Sequence, residues 1–367
     1  MGKYYGSIDD NSSTIIFNEK LLHPFQPYSK QAMTNQINYF LDVFEMDGVL
    51  RGDKQIWYWK ELLTCICLVF GLTLIIPTSK FFLSLPFFKE LIKPIPKAIP
   101  APKGNGLILF WSIILISIFI ACYSFIPLSE LTKSLFVDAS NRRQTWFFPQ
   151  RMNNAIMLWA TLNGTVGLIL FYLSYKFYGI KNGVSKNMFG ISISGLQMLK
   201  TILLAIIIAF SYYTLLFVVY YLFHIDYRFI FISSKIFNIE TLYALPLYLP
   251  FFLIFFLSNS IRINGALRFQ KGIGIHNSVL CVLSTSGGLI AILFIQYIYF
   301  WLTGTVFWKE GWLYVNLLFA IVPILLILPL FQQFFFKITG RVYLGPMAMA
   351  IIFVIMLLSN SVYYYPV

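Results

Sequence analysis

The chain has 367 residues, 59% hydrophobic and 19% aromatic, with 11% charged and a formal net charge of +13. That is too little charge to cover the surface of a water-soluble domain. The 27 Lys and Arg form no dense stripe and no binding motif, so nucleic acid is excluded as a partner.

Residues 1–60 are polar and read locally. "STIIFN" (13–18) is short and β-branched, which suits a strand. "EKLLHPF" follows as a loop that holds His23. Ser29 is a good N-cap, and Met33, Ile37, Phe40, Leu41 and Phe44 then fall on one face of a helix over 29–45. A lone strand and helix bury too little to fold by themselves, so this apolar face is expected to be loosely ordered unless it meets another surface.

Eight apolar runs follow, near 61–78, 105–126, 152–175, 196–223, 241–258, 278–302, 312–336 and 345–362. A span needs about 20 mostly apolar residues, and most of these runs suffice. Pro77 is read as closing the first run, and Pro323 and Pro329 as kinking the seventh. The expected fold is therefore an all-α integral membrane protein: a bundle of about eight transmembrane helices (61–362) behind a short N-terminal soluble segment (1–60). The bilayer itself is its first partner. Trp57, Tyr58 and Trp59, the "FWKEGW" at 307–312 and the "VYYYPV" at 362–367 read as aromatic anchors at the membrane–water interface.

Loops one, three, five and seven hold five, four, three and two Lys or Arg; loops two, four and six hold four, two and one. Cytoplasmic loops carry the positive excess. The odd loops are thus expected on the cytoplasmic side of a cell (plasma) membrane, with His23 and Val367, near the two ends of the chain, both on the extracytoplasmic side.

"KYYGSIDDNSSTIIFNEKLLHPFQPYSKQAMTNQINYFLDVF" (3–44) resembles the C-terminal end of an α/β-hydrolase domain. It is similar in particular to bacterial dienelactone-hydrolase-like proteins whose hydrolase precedes a multi-span region, and "FFPQRMNNAIMLW" (147–159) resembles the membrane part there. In that fold the catalytic His lies on the loop after the last strand. The resemblance implies that His23 stands at that position and that residues 29–45 are the final helix; read from its residues alone, His23 is an exposed loop histidine. The chain contains no G-x-S-x-G elbow, and Ser192 and Ser194 have the wrong spacing. Without nucleophile and acid no acyl transfer is expected from this chain alone. The resemblance implies an upstream hydrolase that is a separate chain, was lost, or lies before a misassigned start. It points to a membrane-embedded anchor and partner module of a hydrolase-like system. A small-solute transporter or channel is the alternative, and a membrane acyltransferase a third reading that the absence of an intramembrane His or carboxylate cluster counts against.

Other candidates are few. Arg142, Arg143 and Arg151 in "NRRQTWFFPQRMNN" suit bidentate contact with a carboxylate or phosphate, or else a snorkelling rim beside Trp146 and Phe147. His224, Asp226 and Arg228 read as a polar loop cap, as does His276. Cys65, Cys67, Cys122 and Cys281 lie in apolar runs and read as packing residues. No metal or cofactor motif is present. "STSGG" (284–288) reads as close helix packing rather than a substrate path.

Overall fold

The computed structural model describes residues 2–19, 21–46, 51–270 and 277–366. His276, Lys271 and Val367 lie outside them. The chain divides into two compact units, residues 1–66 and 67–367.

In the first unit, strands β1 (Tyr4–Tyr5) and β2 (Thr14–Ile15) pair antiparallel. His23 opens a 3₁₀ turn (His23–Tyr28) and is exposed. Helix α1 (Lys30–Val43) starts where Ser29 Oγ accepts from the Ala32 N–H at 3.3 Å, as N-cap chemistry requires. It is tied to the hairpin by Tyr39, which donates to the Ser13 carbonyl at 3.1 Å, and by Tyr4, which donates to Asp42. That bond, with burial, pushes the Tyr4 phenol up to about 12. No residue of α1 is buried. Met33, Ile37 and Leu41 are half-buried, whereas Phe40 and Phe44 stay 46% and 65% exposed.

The unit boundary falls within α2 (Trp57–Ser84). The second unit continues with α3 (Asn105–Leu135), α4 (Arg151–Ser174), α5 (Gly195–Phe223), α6 (Ile239–Ile261), α7 (Asn277–Thr303), α8 (Trp312–Thr339) and α9 (Leu344–Ser359). A hairpin of β3 (Tyr227–Phe229) and β4 (Ile232–Ser234) joins α5 to α6. Among the described residues, α2 to α8 are the seven helices long and apolar enough to cross a membrane.

The prolines do not end these helices. Pro77, Pro127, Pro246, Pro250, Pro323 and Pro329 all lie inside helical runs. In lipid, neighbouring helices re-satisfy the backbone groups a proline frees. The first span is accordingly longer than its apolar run and reaches Ser84. It contributes a stripe of Leu68, Leu72, Ile75 and Leu83 to the core, while Val69, Phe70 and Phe81 are exposed on its other side.

Helices α6, α4, α3, α7, α8 and α9 contact one another in a closed sequence, α9 returning to α6, and α5 packs on α9. Small residues set the close approaches. A Cβ at Gly164 would stand 2.7 Å from the Phe255 backbone, so α4 and α6 cross nearly in contact. Gly287 and Gly288 of the "STSGG" stretch lie against Ile118 and Ala121 of α3 in the same way.

Helix α9 differs from the others. It is 16 residues long, about 24 Å at 1.5 Å per residue. It still connects opposite ends of the bundle. Before it, Val342 N–H donates to Gly190 and Tyr343 to the Ile191 carbonyl at 2.6 Å, at the end bearing the odd loops. At its C-terminal end, the Leu358 and Ser361 carbonyls meet Gln150 at the end bearing the even loops. Nearly every residue between is buried.

Candidate functional site

The sequence candidates are dispersed. Arg142, at a left-handed φ of 60°, and Arg143 are exposed in the second loop. Arg151 is the first residue of α4 and half-buried, with its Nε buried and without a hydrogen-bond partner. Trp146 and Phe147 are 60% and 62% exposed. His23 belongs to the first unit.

The neighbouring "QRMNN" forms a buried clamp. Gln150 Nε2 donates to the Leu358 and Ser361 carbonyls at 2.8 and 3.1 Å, and Asn153 Nδ2 to Leu357 at 3.0 Å. Leu357 and Leu358 lie in the last turn of α9, where their carbonyls also accept from the Asn360 and Ser361 N–H groups at 3.3 Å. Asn154 Nδ2 donates to Phe148, and Tyr248 Oη donates to Asn154 Oδ1 at 2.6 Å. Tyr363 donates to Thr241 at 2.8 Å, and burial pushes its phenol up to about 12. Aromatic rings of Phe136, Phe147, Phe148 and Phe251 pack over the same end. The amide donors of the even-loop end are thereby met, while Arg151 Nε, Glu240 Oε2 and Tyr365 Oη at the same end are buried without hydrogen-bond partners.

The opposite end is built differently. Helices α3, α4, α6 and α7 line a cavity of about 350 Å³. Loop residues Pro100, Pro102, Lys103 and Asn182 stand at its outer part, and Phe110, Ile114, Phe171 and Phe189 among its walls. One edge is a short backbone pairing: Ile99 N–H donates to Arg268 at 3.1 Å, and Gln270 N–H to Ile99 at 2.9 Å. Two helices lining the cavity, α4 and α6, run on into single π-helical turns, Tyr175–Gly179 and Arg262–Ala266. Such turns are rare and gather at functional sites.

Arg262 lines the inner part. The apolar run of the fifth span ends near 258, so sequence reading places Arg262 in a loop. The helix instead continues through the π turn to Ala266, and Arg262 lies within the span. It is half-buried. Its Nη2 donates to the Ser284 carbonyl at 2.7 Å and approaches Asn259 Oδ1 at 3.5 Å, while its Nε has no partner. Gly167 leaves room for it: a Cβ there would stand 3.0 Å from Nη1. Arg262, Gly167, Ser117 and Ser284 also line a second cavity of about 20 Å³, which reaches further along the helices to Asn163, Ser258, Asn259, Trp159 and Phe255. No Asp or Glu lines either cavity. The signal was present in the sequence as spacing: Ser258, Asn259 and Arg262 share one helix face, as do Asn163 and Gly167.

Arg268, six residues on, is a useful control. Its guanidinium donates to the Asn264, Pro96, Lys97 and Met188 carbonyls at 2.7 to 3.2 Å and lies over the Phe336 ring at 5.2 Å. It fastens three loops together, and burial pulls its pKa down. Arg262 has no such set of acceptors.

Compared with known protein families, with curated proteins and with solved structures, the chain matches none.

Proposed function

We propose that the chain is a membrane carrier that admits an amphiphilic anion into the cavity between α3, α4, α6 and α7 from the odd-loop face. The observation that carries this reading is Arg262, a cation inside a span with an unsatisfied Nε and no lining carboxylate. A charge at membrane depth is costly and usually marks a substrate or ion path. The apolar walls suit a hydrocarbon part and the guanidinium suits the charged end. The excess of Lys and Arg in the odd loops supports placing that face in the cytoplasm of a cell. Reconstituted proteoliposomes test the reading with a radiolabelled medium-chain amphiphilic anion. Flux above empty vesicles, lost in Arg262→Gln, is expected. Equal flux with and without protein removes it.

A second reading, the anchor module of a hydrolase-like system, is favoured by one observation: the exposed Phe40 and Phe44 on α1 beside the His23 turn. On that reading, hydrogen exchange across 33–44 is fast in the isolated protein and slows when the partner hydrolase chain is added. Long-lived protection without a partner removes it.

A further inference from the structure

We infer that the head group this cavity accepts is a carboxylate, carried on an apolar chain, and that it docks against Arg262, Asn259 and Ser258. The inference rests on the carrier reading of the cavity and narrows it to one ligand class.

Three polar atoms at the inner end are buried and without hydrogen-bond partners: Arg262 Nε, Asn259 Nδ2 and Ser258 Oγ. All three residues line the same small cavity. Two of these atoms can only donate, and the hydroxyl can also donate. The orientation of the Asn259 amide is set by Arg262, whose Nη2 can only donate and faces its Oδ1 at 3.5 Å. Its Nδ2 is therefore the free edge. A buried donor left unmatched costs about 1–3 kcal/mol, and one of the three atoms belongs to a guanidinium, so together they suit a group that accepts and carries negative charge. That group is an anion. A cationic or hydroxyl head meets either Arg262 or surplus donors.

Size and charge select among anions. The inner cavity, about 20 Å³, has room on the scale of a single water. A carboxylate brings two coplanar oxygens to the mouth of that space, one of which takes the single-water volume, while a tetrahedral phosphate or sulfate crowds the mouth with three. One guanidinium balances one negative charge. A phosphate monoester carries about −1.5 to −2 at pH 7, and the excess is left in a low-dielectric interior with no second cation lining the inner cavity. The outer cavity sets the tail. Its volume lies at the low end of the roughly 300–1,000 Å³ range of small-molecule sites, and its walls are largely aliphatic and aromatic, which suits a medium-length chain.

Calorimetric titration of the protein in lipid nanodiscs, with heats from empty nanodiscs subtracted, tests this with octanoate, octyl phosphate, octyl sulfate, octylamine and octanol. Octanoate is expected to bind at least ten-fold tighter than the other four. Arg262→Gln is expected to weaken octanoate at least ten-fold, with partial recovery in Arg262→Lys. Ser258→Ala, a substitution too small to threaten folding, is expected to weaken it about three-fold or more. If octyl phosphate or octyl sulfate binds as tightly as octanoate and in an Arg262-dependent way, the head-group assignment falls and the carrier reading stands. If no anion depends on Arg262, or if octylamine and octanol bind equally well, both fall. Should Arg262→Gln fail to fold, the ranking on the unaltered protein and the Ser258→Ala titration decide.

Discussion

The two ends of the helix bundle use the same kinds of residue to opposite effect. At the even-loop end Gln150, Asn153, Asn154 and Tyr248 are buried, and their amide donors and the Tyr248 hydroxyl meet partners on another element or on one another. At the odd-loop end Ser258, Asn259 and Arg262 hold buried atoms with none. Inside a membrane both arrangements are expensive to set up, but only the satisfied one returns stability. The comparison separates a clamp from a site: at one end amide side chains reach across to hold another helix, and at the other three unmatched polar side chains converge on one cavity.

The largest effect should come from breaking the clamp. Tyr248→Ala removes a fully buried ring packed on Phe148 and leaves Asn154 Oδ1 without its donor. A loss of about 3–5 kcal/mol is expected, read as a fall in the thermal midpoint of the purified protein. An unchanged midpoint would mean that the even-loop end is not a stabilising element.

A smaller effect of opposite signs sharpens the contrast between the two arginines. Arg268→Met strips donors from four carbonyls and should destabilise by about 1.5–3 kcal/mol. Arg262→Met removes a charge that has no compensating carboxylate, and should leave stability unchanged or raise it by on the order of 1 kcal/mol. If Arg262→Met destabilises as much as Arg268→Met does, Arg262 is a structural clamp as well and the distinction collapses.

The smallest effect is alkaline. Tyr363, beside the clamp, has its phenol held up to about 12 by burial, against roughly 10 in an unfolded chain. Between those values the unfolded state releases a proton that the folded state keeps. Stability is therefore fully present below pH 10 and is lost as pH rises toward 12. Tyr363→Phe should flatten that limb of the pH–stability curve; an identical limb would assign the loss to other groups.

The bundle was legible in the sequence because each span is a long apolar run, and hydrophobicity over about 20 residues is the strongest signal a chain carries. Its ends were less so. Pro77 was read as a stop and is internal, because the rule that a proline ends a helix belongs to water. The clamp was visible only as a distinctive stretch: "FFPQRMNN" attracted notice through Arg142, Arg143 and Arg151, while the amides between them make the contacts. Arg262 was missed for a related reason. "SNSIRING" is polar enough to resemble a loop, and nothing local announces that a π turn carries the helix on to Ala266. What distinguishes Arg262 from Arg268 is the set of acceptors around each, and those come from Pro96, Met188 and Ser284, residues distant in the chain.

Helix α9 has a consequence for how the protein is made. A segment of 16 residues, about 24 Å long, is short for an insertion signal that must cross about 30 Å of hydrocarbon unaided. Its contacts are with α5, α6 and α8, all of which leave the ribosome before it. Its entry into the membrane thus depends on a receptacle already assembled, and the bundle without it has an open seam between α6 and α8. Bundle assembly is then a late event, completed when a helix that lipid would hold poorly is accepted by protein.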